Sequence, residues 1–147
     1  MSTTNVAEPN SQLADLSLRV TVLFSAFTVL TYLLAPTLDL VYAIVSALLF
    51  FAGTFALGLG FWNGIQRSRI EQVRLTGLLA VDTSHVPASI RNRLWLAVVL
   101  QIVVTFGFAA VRPNTQQAFG TLVPTLAIGL AALWGSRFAQ FHPRDDP

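Results

Sequence analysis

The stretch VYAIVSALLFFAGTFALGLGF, residues 41–61, contains no charged side chain and shows no polar stripe at helical spacing. A helix on the surface of a water-soluble protein keeps one polar face. A helix in hydrocarbon instead needs about 20 mainly apolar residues to cross a core of roughly 30 Å. Strands of a membrane barrel alternate apolar and polar residues, whereas ALLFFA at 47–52 is apolar at every position. Residues 41–61 therefore read as the heart of a membrane-spanning helix.

Working outward, three more stretches have the same character. Spans at 16–35, 38–61, 94–111 and 118–138 predict an all-α transmembrane four-helix bundle, one membrane domain over residues 1–147, with a disordered polar tail at 1–12. Composition agrees. Of 147 residues, 54% are hydrophobic and 11% charged, against about 25% charged in an average soluble domain. No basic segment precedes the first apolar stretch and no small-residue cleavage site follows it, so a cleaved signal peptide is not expected. The outer links near Pro36 and Pro113 are short, which predicts that sequential helices are antiparallel neighbours.

Charge sets the expected orientation. All nine basic residues are arginine. Arg19, Arg67, Arg69, Arg74, Arg91, Arg93, Arg137 and Arg144 fall at one end of the bundle, and Arg112 alone falls at the other. Basic residues favour the cytoplasmic side, so both termini and the link at 65–93 are expected in the cytoplasm of a cell whose plasma membrane holds the chain. Trp62, Trp95 and Trp134 fall at the same span ends, with Tyr32 and Tyr42 at the outer ends. Their rings are expected at headgroup depth.

Within that link, residues 65–80 predict a basic amphipathic helix lying on the membrane surface. Arg67 and Glu71 are four apart, Glu71 and Arg74 three apart, and Ile70, Val73 and Leu78 lie near another face. Pro87 suits the start of the third spanning helix. Arg67, Arg69, Arg74, Arg91 and Arg93 are candidates for contact with anionic headgroups or an acidic partner; a purely topogenic role explains them equally well.

Chemistry at bilayer depth needs ionisable groups there, and no Asp, Glu, His, Lys or Arg lies at mid-span. That argues against a proton pump, an ion-coupled transporter and an intramembrane protease. No catalytic, cofactor-binding or metal-binding set is expected. Cysteine is absent, and His85 and His142 lack metal-ligand spacing. Asp82 and His85 are three apart, which fits a solvated turn better than a catalytic pair. Gln101 and Thr105 are the polar residues nearest a span centre, on a ridge with Ala97 and Ala109. They either line a substrate path or make interhelical hydrogen bonds. Small residues recur every four positions in two spans: Ala52, Ala56, Gly60 and Gly64, then Ala127, Ala131, Gly135 and Ala139. Such ridges let helix backbones approach closely, either within the bundle or against another integral membrane protein.

The segments VRPNT (111–115), AFGTLVP (118–124) and GLAALWGSRF (129–138) resemble a pattern in small, uncharacterised four-span membrane proteins of actinobacteria. The resemblance covers about the last 80 residues, from Arg74 onward. It implies no enzyme activity. Its one functional direction is toward proteins that accompany envelope lipid transporters. The chain is accordingly expected to be a non-enzymatic accessory subunit of a larger membrane complex. A small homo-oligomeric transporter or channel around Gln101 and Thr105 is the alternative, and a lipid-active enzyme using His85 and Asp82 a distant third. The topology is directly testable. A tag at Thr83 should stay inaccessible to a reagent outside the cell, and a tag at Asn114 should react; the reverse pattern overturns the orientation.

Overall fold

The computed structural model describes residues 11–34, 37–81, 86–113, 116–139 and 141. Five α-helices lie among them: α1 (Gln12–Leu34), α2 (Asp39–Arg67), α3 (Leu75–Leu78), α4 (Ala88–Val111) and α5 (Pro124–Phe138). A 3-10 helix, Gln116–Leu122, leads into α5. α1, α2, α4 and the joined segment Gln116–Phe138 are each long and apolar enough to cross a membrane. The 23 residues of α1, at about 1.5 Å each, reach about 34 Å, more than the roughly 30 Å of hydrocarbon. The described residues contain no strand, and the fold is an all-α four-helix bundle.

The expected pairing of sequential helices is corrected at the first link. The backbones of α1 and α2 seldom come close, and the two helices meet chiefly through the Tyr42 side chain. α1 instead lies along α4, and α2 along α5. Both pairs are parallel. Asp15 meets Arg93 at one end of α1 and α4, and the rings of Tyr32 and Phe108 meet at the other, 5.2 Å apart. A short link limits how far apart two helix ends lie; it does not make the helices pack.

What chooses the partner is the set of glycines between α2 and α5. A Cβ added at Gly53 would lie 2.5 Å from Leu126 Cα, and one at Gly60 would lie 2.8 Å from the Ala132 carbonyl carbon. A Cβ at Gly129 would overlap the Gly53 carbonyl oxygen. The two backbones are in contact. α5 is consequently the hub: 67% of its span is buried, against 22–28% for the other three. The large exposed apolar side chains lie on α1, α2, α4 and the links, and none on α5.

The inner faces follow the 3–4 spacing of side-by-side helices. α1 buries Ala14, Ser17, Thr21, Phe24, Thr28 and Thr31; α4 buries Ile90, Leu94, Ala97, Val98, Gln101 and Thr105. The fourth span begins as a 3-10 helix because Pro124 has no N–H to donate and its ring crowds the carbonyl four residues back. That carbonyl belongs to Gly120, which accepts from Val123 N at 3.0 Å instead.

Gly129→Ala should destabilise the isolated chain by about 1–3 kcal/mol, the usual cost of overpacking a dense interior. Gly58→Ala should be neutral or slightly stabilising, since a Cβ there meets nothing within 4 Å. Thermal unfolding in mild detergent reads both; equal effects would contradict backbone contact between α2 and α5.

Candidate functional site

Two regions concentrate polar groups: a column inside the bundle and the arginine-rich end. In the column, Gln101 Nε2 donates to Thr21 Oγ1 at 2.8 Å, joining α4 to α1. Thr21 Oγ1 donates to Ser17 O at 2.7 Å, Thr28 Oγ1 to Phe24 O at 2.9 Å and Thr105 Oγ1 to Gln101 O at 2.6 Å. Threonine satisfies itself on its own helix in this way, so it can be buried without a partner across the interface. Toward the other end Tyr42 is fully buried, its ring stacked on Phe24 and Phe27 and its hydroxyl 3.3 Å from Thr28 Oγ1. A Cβ at Gly120 would overlap that hydroxyl. Ser46 and Gln117 are also fully buried.

Gln101 and Thr105 thus lie inside one copy, between α1 and α4, and are not presented to a second copy that might share a pore with it. Interhelical hydrogen bonds of this kind contribute about 0.6 kcal/mol on average in membrane proteins. Sequence reasoning found these two and missed Ser17, Thr21, Thr28 and Thr31. Their signal was present: residues 17, 21, 24, 28 and 31 recur at spacings of 4, 3, 4 and 3.

At the other region the link 68–81 does not form the expected surface helix. α2 runs on to Arg67, the chain turns, and only Leu75–Leu78 is helical. Burial decides this. Leu78 is 3% exposed and Ala80 fully buried, and removing a leucine side chain from water stabilises by roughly 1.5–3 kcal/mol. A Cβ at Gly64 would lie 2.9 Å from Leu78 Cδ1, and one at Gly135 would overlap the Leu78 carbonyl oxygen. The link is clasped between the ends of α2 and α5. It closes with Val81 N donating to Thr76 O and Ala80 N to Gly77 O, at 2.8 and 3.1 Å. That is a Schellman ending, with Ala80 in the left-handed position at φ 54°. Glycine is the usual residue there, but the Ala80 methyl packs in the cluster of Leu94, Ala131 and Trp134.

The five link arginines are not equivalent. Arg67 Nε and Nη2 donate to Glu71 Oε2 at 3.0 and 2.6 Å. Nη1 donates to Ser136 O at 3.0 Å and Nη2 to Ala139 O at 3.1 Å. The last carbonyls of a helix lack intrahelical donors and carry its negative dipole end, so Arg67 caps α5. Its guanidinium also lies 5.0 Å from the Phe141 ring centroid. Arg93 Nη1 meets Asp15 Oδ1 at 2.6 Å, tying α4 to α1. That pair is 48% and 36% exposed, and such surface pairs contribute about 0–1 kcal/mol. Arg69 and Arg74 are exposed and Arg91 is half-buried.

The small ridges face inward, with one exception. Ala56, Gly60, Gly64, Ala127, Ala131, Gly135 and Ala139 are buried, whereas Ala52 is exposed and its neighbour Gly53 takes its place. Gly60 meets Ala132, not Gly135. The aromatic placements divide. Trp62 is 62% exposed, but Trp134 and Tyr42 are core residues, not headgroup anchors. Trp95 is half-buried and donates Nε1 to Ala80 O at 3.3 Å. Arg112 rests 4.5 Å above the Tyr32 ring. Asp82 and His85 lie outside the described residues.

Among the described residues no three His, Cys, Asp or Glu side chains come together. The chain matches no protein-family model, no curated protein and no solved structure. Arg67→Gln should lower stability in detergent by about 1.5–3 kcal/mol, the usual range for hydrogen bonds to a charged group. Glu71→Gln should cost less, because the α5 cap survives it. A double-mutant cycle on the two positions measures the difference; equal single costs would leave Arg67 with its ion pair alone.

Proposed function

We propose that the chain is a non-enzymatic accessory subunit of a larger membrane complex, held in the plasma membrane with both termini and the α2–α4 link in the cytoplasm. The observation that carries this is the outward face of α2. Ile44, Leu48, Phe51, Phe55, Trp62 and Ile65 are each 52–70% exposed. They repeat at the 3–4 spacing of a helix seam, and the position skipped in that series is Gly58, in open space. Large knobs around a glycine notch suit a second helix, since membrane helices associate by close packing. The interior is in keeping with this: the buried polar side chains among the described residues are hydroxyls and amides, and the Gln101–Thr21 bond joins two helices. The excess of arginine at one end supports the orientation. The resemblance of the last 80 residues adds envelope lipid transport as the process.

Purification from cells at native expression in mild detergent tests this. A second integral membrane protein should co-purify. Phe55→Ala should weaken its recovery while leaving the melting of the isolated chain unchanged. One anchor side chain lost from an interface costs roughly 2 kcal/mol, about 30-fold in affinity. Repeated recovery of the chain alone would sink the proposal.

A further inference from the structure

α2 is committed to α5 and α1 to α4, so the first two helices meet mainly through side chains, with Tyr42 of α2 against Phe24 and Phe27 of α1. Beside that aromatic contact an open groove of about 340 Å³ runs between them, lined by Val20, Leu23, Phe24 and Phe27 of α1 and by Val41, Val45 and Leu49 of α2. Both walls belong to spanning helices, so the cleft opens to hydrocarbon.

Two kinds of occupant reach that depth, a helix of another protein and a lipid chain. The walls carry no glycine, alanine or serine. A second helix needs such small residues to bring its backbone close, whereas a thin flexible chain does not. Charge identifies the rest of the ligand. Arg19 sits next to Val20 and one turn from Leu23, at the arginine-rich end of the cleft, and its side chain is exposed. It makes no ion pair or hydrogen bond with the described residues. α1 begins at Gln12, which places Arg19 about 10 Å along the helix at about 1.5 Å per residue. The Asp15–Arg93 pair marks the polar boundary one turn earlier. Arginine reaches back to such a boundary by extending its stem along apolar surface. A guanidinium near the membrane boundary with no ion pair among the described residues attracts an anion. The anion available there is a lipid phosphate.

We propose that the cleft between α1 and α2 holds an acyl chain of an anionic phospholipid from the leaflet at the arginine-rich end, with Arg19 binding its phosphate. The chain passes Val20 and Leu49 and ends against Phe27 and Val41. The site stands independently of any protein partner and differs from the contact expected of the link arginines, because it orders the lipid chain as well as the headgroup.

The test uses the full chain in nanodiscs of phosphatidylcholine containing a phosphatidylglycerol with a photoreactive acyl chain. Illumination followed by peptide mapping should place crosslinks at the cleft residues of α1 and α2. R19Q should reduce that labelling about five-fold, the factor for about 1 kcal/mol per basic residue at an anionic surface. Its melting temperature should change little, since the side chain is exposed and makes no ion pair or hydrogen bond with the described residues. V45F, which fills the cleft with Arg19 intact, should reduce it as well. Labelling spread evenly over the outward faces of α1, α2 and α4 would overturn the proposal. So would unchanged labelling in R19Q, or a loss in R69Q in its place, which would move the headgroup to the exposed pair Trp62 and Arg69 at the end of α2.

Discussion

The contact between the backbones of α2 and α5 governs the rest of the structure. In hydrocarbon, apolar side chains gain little by leaving lipid for protein, so close packing and hydrogen bonds must hold helices together. Gly53 against Leu126, Gly60 against Ala132 and Gly129 against the Gly53 carbonyl leave no room for a side chain at the points where the backbones meet. α5 is thereby drawn into the centre, where α1 and α4 close over its other side. The result inverts the distribution of a soluble protein. Glycine, alanine, serine and threonine supply much of the inside, around a few large residues such as Trp134, Tyr42 and Leu94, and phenylalanine, leucine and valine form much of the outside.

The same small residues also anchor the arginine-rich end. Below the helix crossing, Gly64 and Gly135 no longer face each other's helix but enclose Leu78. The link therefore folds under the bundle, and Arg67 is positioned over the last carbonyls of α5. A residue that statistics assign to the membrane surface becomes a helix cap because its helix runs on by a turn and a half. Excess positive charge at this end serves more than one purpose. Arg67 and Arg93 hold helices to one another, while Arg69 and Arg74 remain at the surface.

The number of spans and their approximate positions were legible in the sequence, because bilayer thickness fixes the length of each apolar run. The rotation of each helix about its axis was not. Ala52 and Gly53 are both small, and one residue turns the face by about 100°, so only the position of α5 decides which is buried. Trp134 and Tyr42 show the same ignorance. A rule based on their distance along the span places both at the headgroups, but rotation places both inside. The link was misread for a related reason: Leu78 looked like one face of a surface helix until two glycines were found to make room for it. The polar seam of α1 was legible by spacing alone. It is easy to overlook because serine and threonine barely interrupt an apolar run.

Among the outward surfaces, α2 carries most of the distinctive features. Its inner seam at Gly53, Ala56 and Gly60 belongs to α5. Val41, Val45 and Leu49 wall the cleft, and the stripe from Ile44 to Ile65 runs beside it on the next face. Residues 41 and 44 differ by three positions, about 60° around a helix. A lipid in the cleft therefore lies along one flank of whatever helix meets the stripe, and both occupants would contact α2 without contacting α5. Gly53 and Gly58 summarise the division of labour in chemical terms. They are five residues apart and identical in type, yet one must lack a side chain for the fold to exist, and the other lacks one facing open space.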